Sequence, residues 1–200
     1  MTNKKNSIRI KDLVSIGVYS ALYFITVGIS AMFTVFIIPG YSYVFIPVIA
    51  ALISGSVFML MTAKVPRFGA LSIMGIIMGL FFLIMGRFPG ALLISVVFSV
   101  IADGVAYAFK YKSKIGLLVS YIVFSFGICG PALPMFIFPD MYIGELVEHK
   151  RDVVYIEGAF ANISQTTFTI LIISIIIAAI IGGLFGQKMM EKHFEKAGII

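Results

Sequence analysis

The chain has 200 residues, of which 60% are hydrophobic and only 12% are charged, and its mean hydropathy is +1.09. A soluble domain usually carries about 25% charged residues, so the composition excludes a water-soluble globular protein and indicates a membrane protein. The net charge of +6 does not indicate a nucleic-acid partner, because the basic residues lie in short gaps between apolar runs, as in oriented membrane proteins. The single cysteine, Cys129, excludes an internal disulfide and a cysteine-cluster metal site.

Apolar runs long enough to cross a bilayer recur along the chain. A spanning helix needs about 20 apolar residues, and six runs come close to that length or exceed it, at about 13–36, 44–63, 69–86, 89–109, 115–137 and 158–187. The longest polar segment, about Pro139 to Glu157, separates the last two runs. The sequence therefore predicts an all-α, multi-pass protein of the cell membrane, in which residues 1–200 form one integral-membrane domain with six transmembrane helices.

The basic residues predict how these helices are oriented. With the N-terminus inside, cytoplasmic segments hold twelve of the fifteen basic residues, and only Arg87, Lys150 and Arg151 lie outside. Because basic loops remain in the cytoplasm, we expect both termini to be cytoplasmic. The twelve residues are Lys4, Lys5, Arg9, Lys11, Lys64, Arg67, Lys110, Lys112, Lys114, Lys188, Lys192 and Lys196.

The first predicted helix carries a surface suited to close helix packing. Gly17, Ser20 and Ala21 share one helical face, and Gly17-x-x-x-Ala21 is a small-residue pair that lets another helix approach closely. Two later helices contain the same spacing, at Gly75 and Gly79 and at Gly182 and Gly186.

Three residues near the predicted outer surface are candidates for ligand binding. Tyr41 and Tyr43, in the first outer loop, could cap a ligand or form an interfacial aromatic belt. Arg87, at the outer end of the third helix, could extend to the membrane interface. Alternatively, it could pair with an anionic group of a ligand, for which its forked guanidinium is suited.

Two features of the fourth and fifth helices lie at membrane depth. Asp103 is the only acidic residue deep in a predicted span, and we expect it to cap a helix or pair with a cytoplasmic lysine rather than relay protons. Near the end of the fifth helix, two glycines and two prolines should kink or unwind the backbone. The freed backbone groups would either line a cavity, as in transporters, or simply mark the end of the helix. These residues are Gly127, Gly130, Pro131 and Pro134.

The sixth predicted helix contains a polar stripe in its outer half. Asn162, Gln165, Thr166 and Thr169 follow the i, i+3, i+4, i+7 spacing of one helical face. Polar groups in hydrocarbon are costly unless they face a partner or a cavity. The stripe therefore predicts a ligand pocket open to the outside, with hydrogen bonding between helices as the alternative.

Taken together, the chain resembles a substrate-binding S component of an energy-coupling factor (ECF) transporter. It is most similar to the MptD-like (Trep_Strep) branch of predicted S components, and the segments around Lys11 to Gly17 and Pro66 to Gly69 carry that resemblance. The resemblance covers the whole chain.

The resemblance implies a function and a set of partners. An S component binds a vitamin or a similar small-molecule nutrient from outside, and then docks on a membrane T component driven by two ATPase subunits. The family's small-residue docking motif falls on Gly17 and Ala21. Its ligand site would draw on the outer loops and outer helix halves, which here contain Tyr41, Tyr43, Arg87, Asn162 and Gln165.

Other functional classes have less support in the sequence. An intramembrane enzyme is the second hypothesis, but we expect no catalytic residues, cofactor or metal, because the chain lacks a phosphate-binding loop, an H-E-x-x-H pair and a G-x-S-x-G elbow. A self-sufficient secondary carrier or channel would use Asp103 as its coupling residue. Haem as the nutrient has thin support from possible ligands in the last outer loop, namely Met141, His149 and Tyr155. Apart from the membrane lipid and the partners above, no nucleic acid is expected to bind.

Overall fold

The computed structural model describes residues 8–38 and 41–194, and within them the chain forms ten α-helices and no β-strand. The helices are α1 (Ile10–Ile37), α2 (Ser42–Ile53), α3 (Gly55–Lys64), α4 (Ala70–Ile84), α5 (Gly90–Ala108), α6 (Lys114–Ser125), α7 (Leu133–Ile137), α8 (Pro139–Glu148), α9 (Val153–Phe160) and α10 (Gln165–Met189). A 3₁₀ turn, Phe126–Cys129, continues α6, and a π-helical turn, Met190–Phe194, follows α10. The all-helical prediction is confirmed for these residues.

Six segments of helix form a closed ring. α1 packs on the α2–α3 pair and on α4, α5 packs between α4 and α6, and α10 packs against α6 and the α2–α3 pair. One end of the ring contains the C-termini of α1 and α4 and the N-termini of α2 and α5, and we call this the Arg87 end. At the other end α5 ends and α4 and α6 begin, and we call this the Asp103 end.

The exposed surface of α1 indicates that this helix faces lipid rather than water. Large apolar side chains are exposed along this helix, whereas several hydroxyl side chains are buried. The buried hydroxyls of Ser20, Ser30 and Thr34 donate hydrogen bonds to backbone carbonyls one turn earlier, at 2.6–2.8 Å. An apolar outer face with inward hydroxyls bonded to backbone carbonyls is the arrangement that lipid favours. The exposed residues include Val14, Val18, Leu22, Ile25, Ile29 and Phe33.

Helix lengths give fewer clear membrane spans than the sequence predicts. Three described helices are long and apolar enough to cross, Ile10–Ile37, Gly90–Ala108 and Gln165–Lys192, and α2 with α3 adds a fourth if this pair, bent by 50°, is one span. α4 has 15 residues, about 22 Å at 1.5 Å per residue, against a hydrocarbon core of about 30 Å. The helix continuing from Lys114 to Cys129 is similarly short.

Three of the predicted helices differ from the structure. The run 44–63 is divided at Ser54 into α2 and α3. The run 115–137 is divided into α6, the 3₁₀ turn and α7, so the unwinding predicted near Gly130 and Pro131 is confirmed. The prediction of one helix over 158–187 is wrong, because α9 ends at Phe160 and α10 begins only at Gln165. The Ser164 side chain accepts a hydrogen bond from the Thr167 amide and so caps α10 at that point. The polar segment before it forms α8 and α9 rather than an irregular loop.

Candidate functional site

A cavity of about 370 Å³ lies at the Arg87 end, between α1, α2, the end of α4 and the broken end of α6. Its described wall is aromatic, aliphatic and sulfur-containing, and among the described lining residues only Arg87 has a side chain with a charge or a nitrogen or oxygen hydrogen-bonding group. We call it the Arg87 cavity. It is lined by Phe24, Val27, Gly28, Ala31, Met32, Ile46, Pro47, Phe82, Met85, Arg87, Ile128, Pro131 and Ala132.

The end of α4 places Arg87 at this cavity. Gly86 adopts a left-handed conformation, with φ of 69°, and its amide donates to the Leu83 carbonyl at 2.9 Å while the Arg87 amide donates to the Phe82 carbonyl at 2.9 Å. This pair of hydrogen bonds is the Schellman motif, for which glycine is favoured because it has no Cβ. The turn therefore fixes the backbone from which Arg87 extends.

Arg87 makes no ion pair with a carboxylate in residues 8–38 and 41–194. Its charge acts on Tyr142 of α8, where burial raises the pKa of the phenol and the guanidinium opposes that rise. Phe88, the next residue, stacks on Tyr142 with ring centroids 5.3 Å apart. Arg87 is thus held beside α8 with its hydrogen-bonding capacity available to a ligand.

The helix breaks and a glycine provide the space for the cavity. After the 3₁₀ turn, Ile128, Pro131 and Ala132 form one wall where α6 has unwound. On α1, a Cβ added at Gly28 would meet no atom within 4 Å. Toward the bundle centre, Phe82 and Ile128 are both buried and separate the cavity from the interior. The cavity therefore has an apolar floor and one cationic group.

The Asp103 end is chemically the opposite. Asp103 is fully buried, and its Oδ2 accepts hydrogen bonds from the Gly69 amide at 2.7 Å, the Ser72 amide at 3.1 Å and the Ser72 hydroxyl at 2.8 Å. Its Oδ1 accepts a 2.6 Å bond from the Tyr111 hydroxyl. Asp103 therefore caps the N-terminus of α4, where the helix dipole also favours a negative charge. The predicted capping role is confirmed, and a carboxylate so engaged is poorly suited to proton coupling.

A second acidic residue ties α1 to the same end. Asp12 accepts a hydrogen bond from the Arg9 amide at 2.9 Å, and its Oδ2 lies 3.3 Å from Arg67 Nε. The two sequence segments that carry the family resemblance thus meet in space. Gln187 of α10 completes this end by donating a 2.7 Å hydrogen bond to the Lys114 carbonyl.

The predicted polar stripe does not line the Arg87 cavity. Asn162 lies in the turn between α9 and α10, so the prediction that it shares one helical face with the other three is wrong. Gln165, Thr166 and Thr169 are exposed on α10, and the Thr169 hydroxyl donates to the Gln165 carbonyl at 3.0 Å. Gln165 borders a separate cavity of about 370 Å³ with Phe136 and Phe168.

The remaining candidates from the sequence lie at different places. Tyr41 is exposed, packs edge-on to Phe45 at 6.4 Å between ring centroids, and is not among the residues lining the Arg87 cavity. The side chain of Tyr43 lies outside the part of the chain that the structure describes. His149 lies 3.8 Å from Glu145, and Tyr155 lies under Arg151 at 5.0 Å from guanidinium carbon to ring centroid.

The proposed docking residues divide between two environments. Gly17 and Ala21 are exposed, and a Cβ at Gly17 would meet nothing within 4 Å. Ser20 is buried inside the bundle, where its hydroxyl donates to the Ile16 carbonyl. The open surface on α1 therefore consists of Gly17 and Ala21 without Ser20.

Sequence reasoning missed most of the cavity wall. Phe24, Gly28, Phe82 and Ile128 are apolar or small residues in a chain that is 60% hydrophobic, so nothing in their type distinguishes them from lipid-facing or core residues. Local signals existed only for Arg87 and for the helix break at Pro131, both of which the sequence analysis identified and both of which line the cavity.

Comparison with known proteins places the chain in a family. The model of a family described as "Hypothetical bacterial integral membrane protein (Trep_Strep)" matches residues 10–196, so the chain belongs to that family. No curated protein and no solved structure matches the chain. The chain is therefore an integral membrane protein, consistent with a transporter-like role.

Proposed function

We propose that this Trep_Strep protein is the substrate-binding S component of an ECF importer for a vitamin or another small nutrient. The observation that supports this most directly is the Arg87 cavity, which is lined by four chain segments at one end of a bundle whose other end contains a hydrogen-bonded network around Asp103. A site open at one end and closed below is what a subunit that captures its ligand from one side needs. Cavities of about 300–1,000 Å³ are typical of small-molecule sites.

In the proposed topology six segments cross the membrane and both termini are cytoplasmic. The short α4 is completed by the turn after Ile84, and α6 by the 3₁₀ turn and α7. The distribution of basic residues supports an orientation with the Asp103 end inside and the Arg87 end outside. The cavity then faces the medium from which a nutrient would be taken.

This topology is tested by labelling single cysteines in intact cells, in a background where Cys129 is replaced by Ala. A cysteine at Glu148, at the end of α8, should react with an impermeant maleimide. A cysteine at Lys112 should react only after the cells are permeabilised. The reverse pattern would contradict both the orientation and the capture of ligand from outside.

The partners in this proposal are a membrane T component and two ATPase subunits. The exposed Gly17–Ala21 surface supports docking, because a groove of small residues lets a partner helix approach closely. Along α1, Gly17 lies about 16 Å and Ala21 about 10 Å from Gly28 of the cavity, at 1.5 Å per residue. Because Phe24 of the cavity wall is only one turn from Ala21, ligand binding by a variant at Ala21 must be measured alongside docking.

Docking is tested by Ala21→Trp, which fills the groove. The variant should keep its thermal stability but lose association with the T component and nutrient uptake in cells that carry the whole transporter. Leu22→Trp, on the adjoining lipid-facing surface, is the matched control and should retain both. Normal uptake by Ala21→Trp would refute the docking surface, and uptake by this chain alone in vesicles without ATPases would refute the ECF assignment.

A further inference from the structure

We infer that the Arg87 cavity selects a small amphipathic anion, with an apolar body that fills the cavity and a single carboxylate or similar group that pairs with Arg87. This inference rests on the proposed capture function and names the chemical class of the ligand. It excludes strongly polar nutrients, whose many hydrogen-bonding groups would be left without partners.

The first argument is the composition of the wall. Apart from Arg87, the described lining residues offer no hydroxyl, amide, imidazole or carboxylate side chain. A polar ligand group enclosed by such a wall loses its hydrogen bonds to water and gains none in return, which costs about 1–3 kcal/mol for each group. A ligand with an apolar body instead gains about 25 cal/mol for each square ångström of apolar surface that it buries.

The second argument is the charge at the mouth of the cavity. The guanidinium of Arg87 is half-buried and has no carboxylate partner within residues 8–38 and 41–194, although acidic residues are plentiful on α8 and in the turn after it. The acids there are otherwise engaged at two positions, since Glu145 faces His149 and Asp152 caps α9. A planar guanidinium binds carboxylate or phosphate groups through paired hydrogen bonds. The ligand therefore supplies the anionic group that pairs with the Arg87 guanidinium.

The third argument favours a small molecule over a membrane lipid as the occupant. The cavity has a volume of about 370 Å³ and an apolar floor formed by Phe82 and Ile128. A phospholipid with two acyl chains is several times larger and could insert only part of one chain. A compact ring system or short chain with one anionic group fits within this volume.

The test uses three probes that share one ring system and differ in charge: 1-naphthaleneacetate, its uncharged amide, and 2-(1-naphthyl)ethylamine. Binding is measured by equilibrium dialysis on the full chain in phosphatidylcholine nanodiscs, with empty nanodiscs subtracted. The carboxylate should bind about tenfold more tightly than the amide, which is the effect of one charge-assisted pair of about 1.4 kcal/mol at a partly exposed site. The amine should bind most weakly.

Two pairs of variants assign the effect to the cavity. Arg87→Gln should remove the preference for the carboxylate, whereas Arg151→Gln, a matched change of an arginine outside the cavity, should preserve it. Gly28→Leu should weaken binding of the carboxylate and the amide at least tenfold, because the added side chain projects into open space. Gly104→Leu, at another glycine whose added Cβ meets no atom within 4 Å, should bind as wild type does.

Each outcome separates the ligand class from the capture function. Equal binding of carboxylate and amide, both lost in Gly28→Leu, would overturn the anion preference and leave the capture site intact. Failure of all three probes to bind at millimolar concentration would overturn the assigned class, while uptake assays would still decide the capture function. Displacement of 1-naphthaleneacetate by phosphatidylglycerol in the nanodisc would identify a lipid site and overturn the inference.

Discussion

The two ends of this bundle use polar groups in opposite ways. At the Asp103 end, the buried carboxylate accepts four hydrogen bonds, from the amide of Gly69, the amide and hydroxyl of Ser72 and the hydroxyl of Tyr111. At the Arg87 end, a guanidinium borders an apolar cavity and pairs with no carboxylate in the described chain. Polar groups whose hydrogen bonds are all made within the protein stabilise a fold, whereas a polar group that lacks such partners is suited to binding a ligand. The comparison predicts that mutations at the first end affect stability and that mutations at the second affect ligand binding.

The largest effect is expected for Asp103→Ala. It leaves several buried donors at the start of α4 without an acceptor, and each such donor costs about 1–3 kcal/mol. We expect a loss of about 4 kcal/mol in the free energy of unfolding, measured by denaturant titration in detergent. Arg87→Ala is the matched control at the other end and should change this free energy by less than about 0.5 kcal/mol. Comparable losses in the two variants would break the distinction between the ends.

The second prediction compares glycines at which an added Cβ would overlap a neighbouring helix with a glycine at which it would meet no atom. Added Cβ atoms at Gly182 and Gly186 of α10 would overlap the backbone of α2 and α3, whereas one at Gly28 meets no atom within 4 Å. Gly182→Ala should therefore destabilise the bundle by about 2 kcal/mol through overpacking. Gly28→Ala should be neutral or slightly stabilising, because alanine reduces the freedom of the unfolded chain. Thermal unfolding of the two variants in the same detergent checks this order, and the reverse order would contradict the close packing of α10 on α2 and α3.

These small-residue pairs also show what the sequence could and could not predict. Three pairs with the same spacing were equivalent in the sequence, but in the structure Gly75 and Gly79 pack on α5, Gly182 and Gly186 pack on α2 and α3, and only Gly17 with Ala21 remains open. Spacing shows that a helix can be approached closely. It does not show whether the partner is within the chain, because that depends on which helices are neighbours in the ring.

Features that depend on one residue or a short segment were predicted more reliably than surfaces formed by several segments. The break after α6 and the capping role of Asp103 followed from residue types whose backbone or charge requirements are strong. The polar stripe failed at Asn162 because the Ser164 cap, which begins α10 at Gln165, was not recognised. Apart from Arg87 and the break at Pro131, the cavity wall could not be predicted, because its apolar residues differ from other apolar residues only in bordering the gap between four segments.

A third prediction concerns pH at the Asp103 end. Burial and the hydrogen bond to Asp103 raise the pKa of Tyr111, so the folded protein holds this proton more tightly than the unfolded chain does. The stabilisation is fully present below about pH 10, the usual phenol pKa, and is lost as the pH rises further. Tyr111→Phe should cost about 1.5 kcal/mol at pH 8. The difference between the variant and wild type should shrink above about pH 10, and a constant difference would contradict the proposed bond.

The smallest effect on stability is expected at the turn that carries Arg87. Gly86→Ala places a Cβ on a residue with φ of 69°, which costs about 1 kcal/mol in the left-handed region. Gly144→Ala, a helical glycine of α8 with open space around it and no positive φ, is the matched control and should cost nothing. Any adjustment of the Schellman turn shifts the backbone from which Arg87 extends, so the preference for 1-naphthaleneacetate over its amide should fall by more than the modest loss of stability suggests. If Gly86→Ala lost stability but kept the full preference, the turn would serve only to end α4, and Arg87 would reach its ligand through its own flexible side chain.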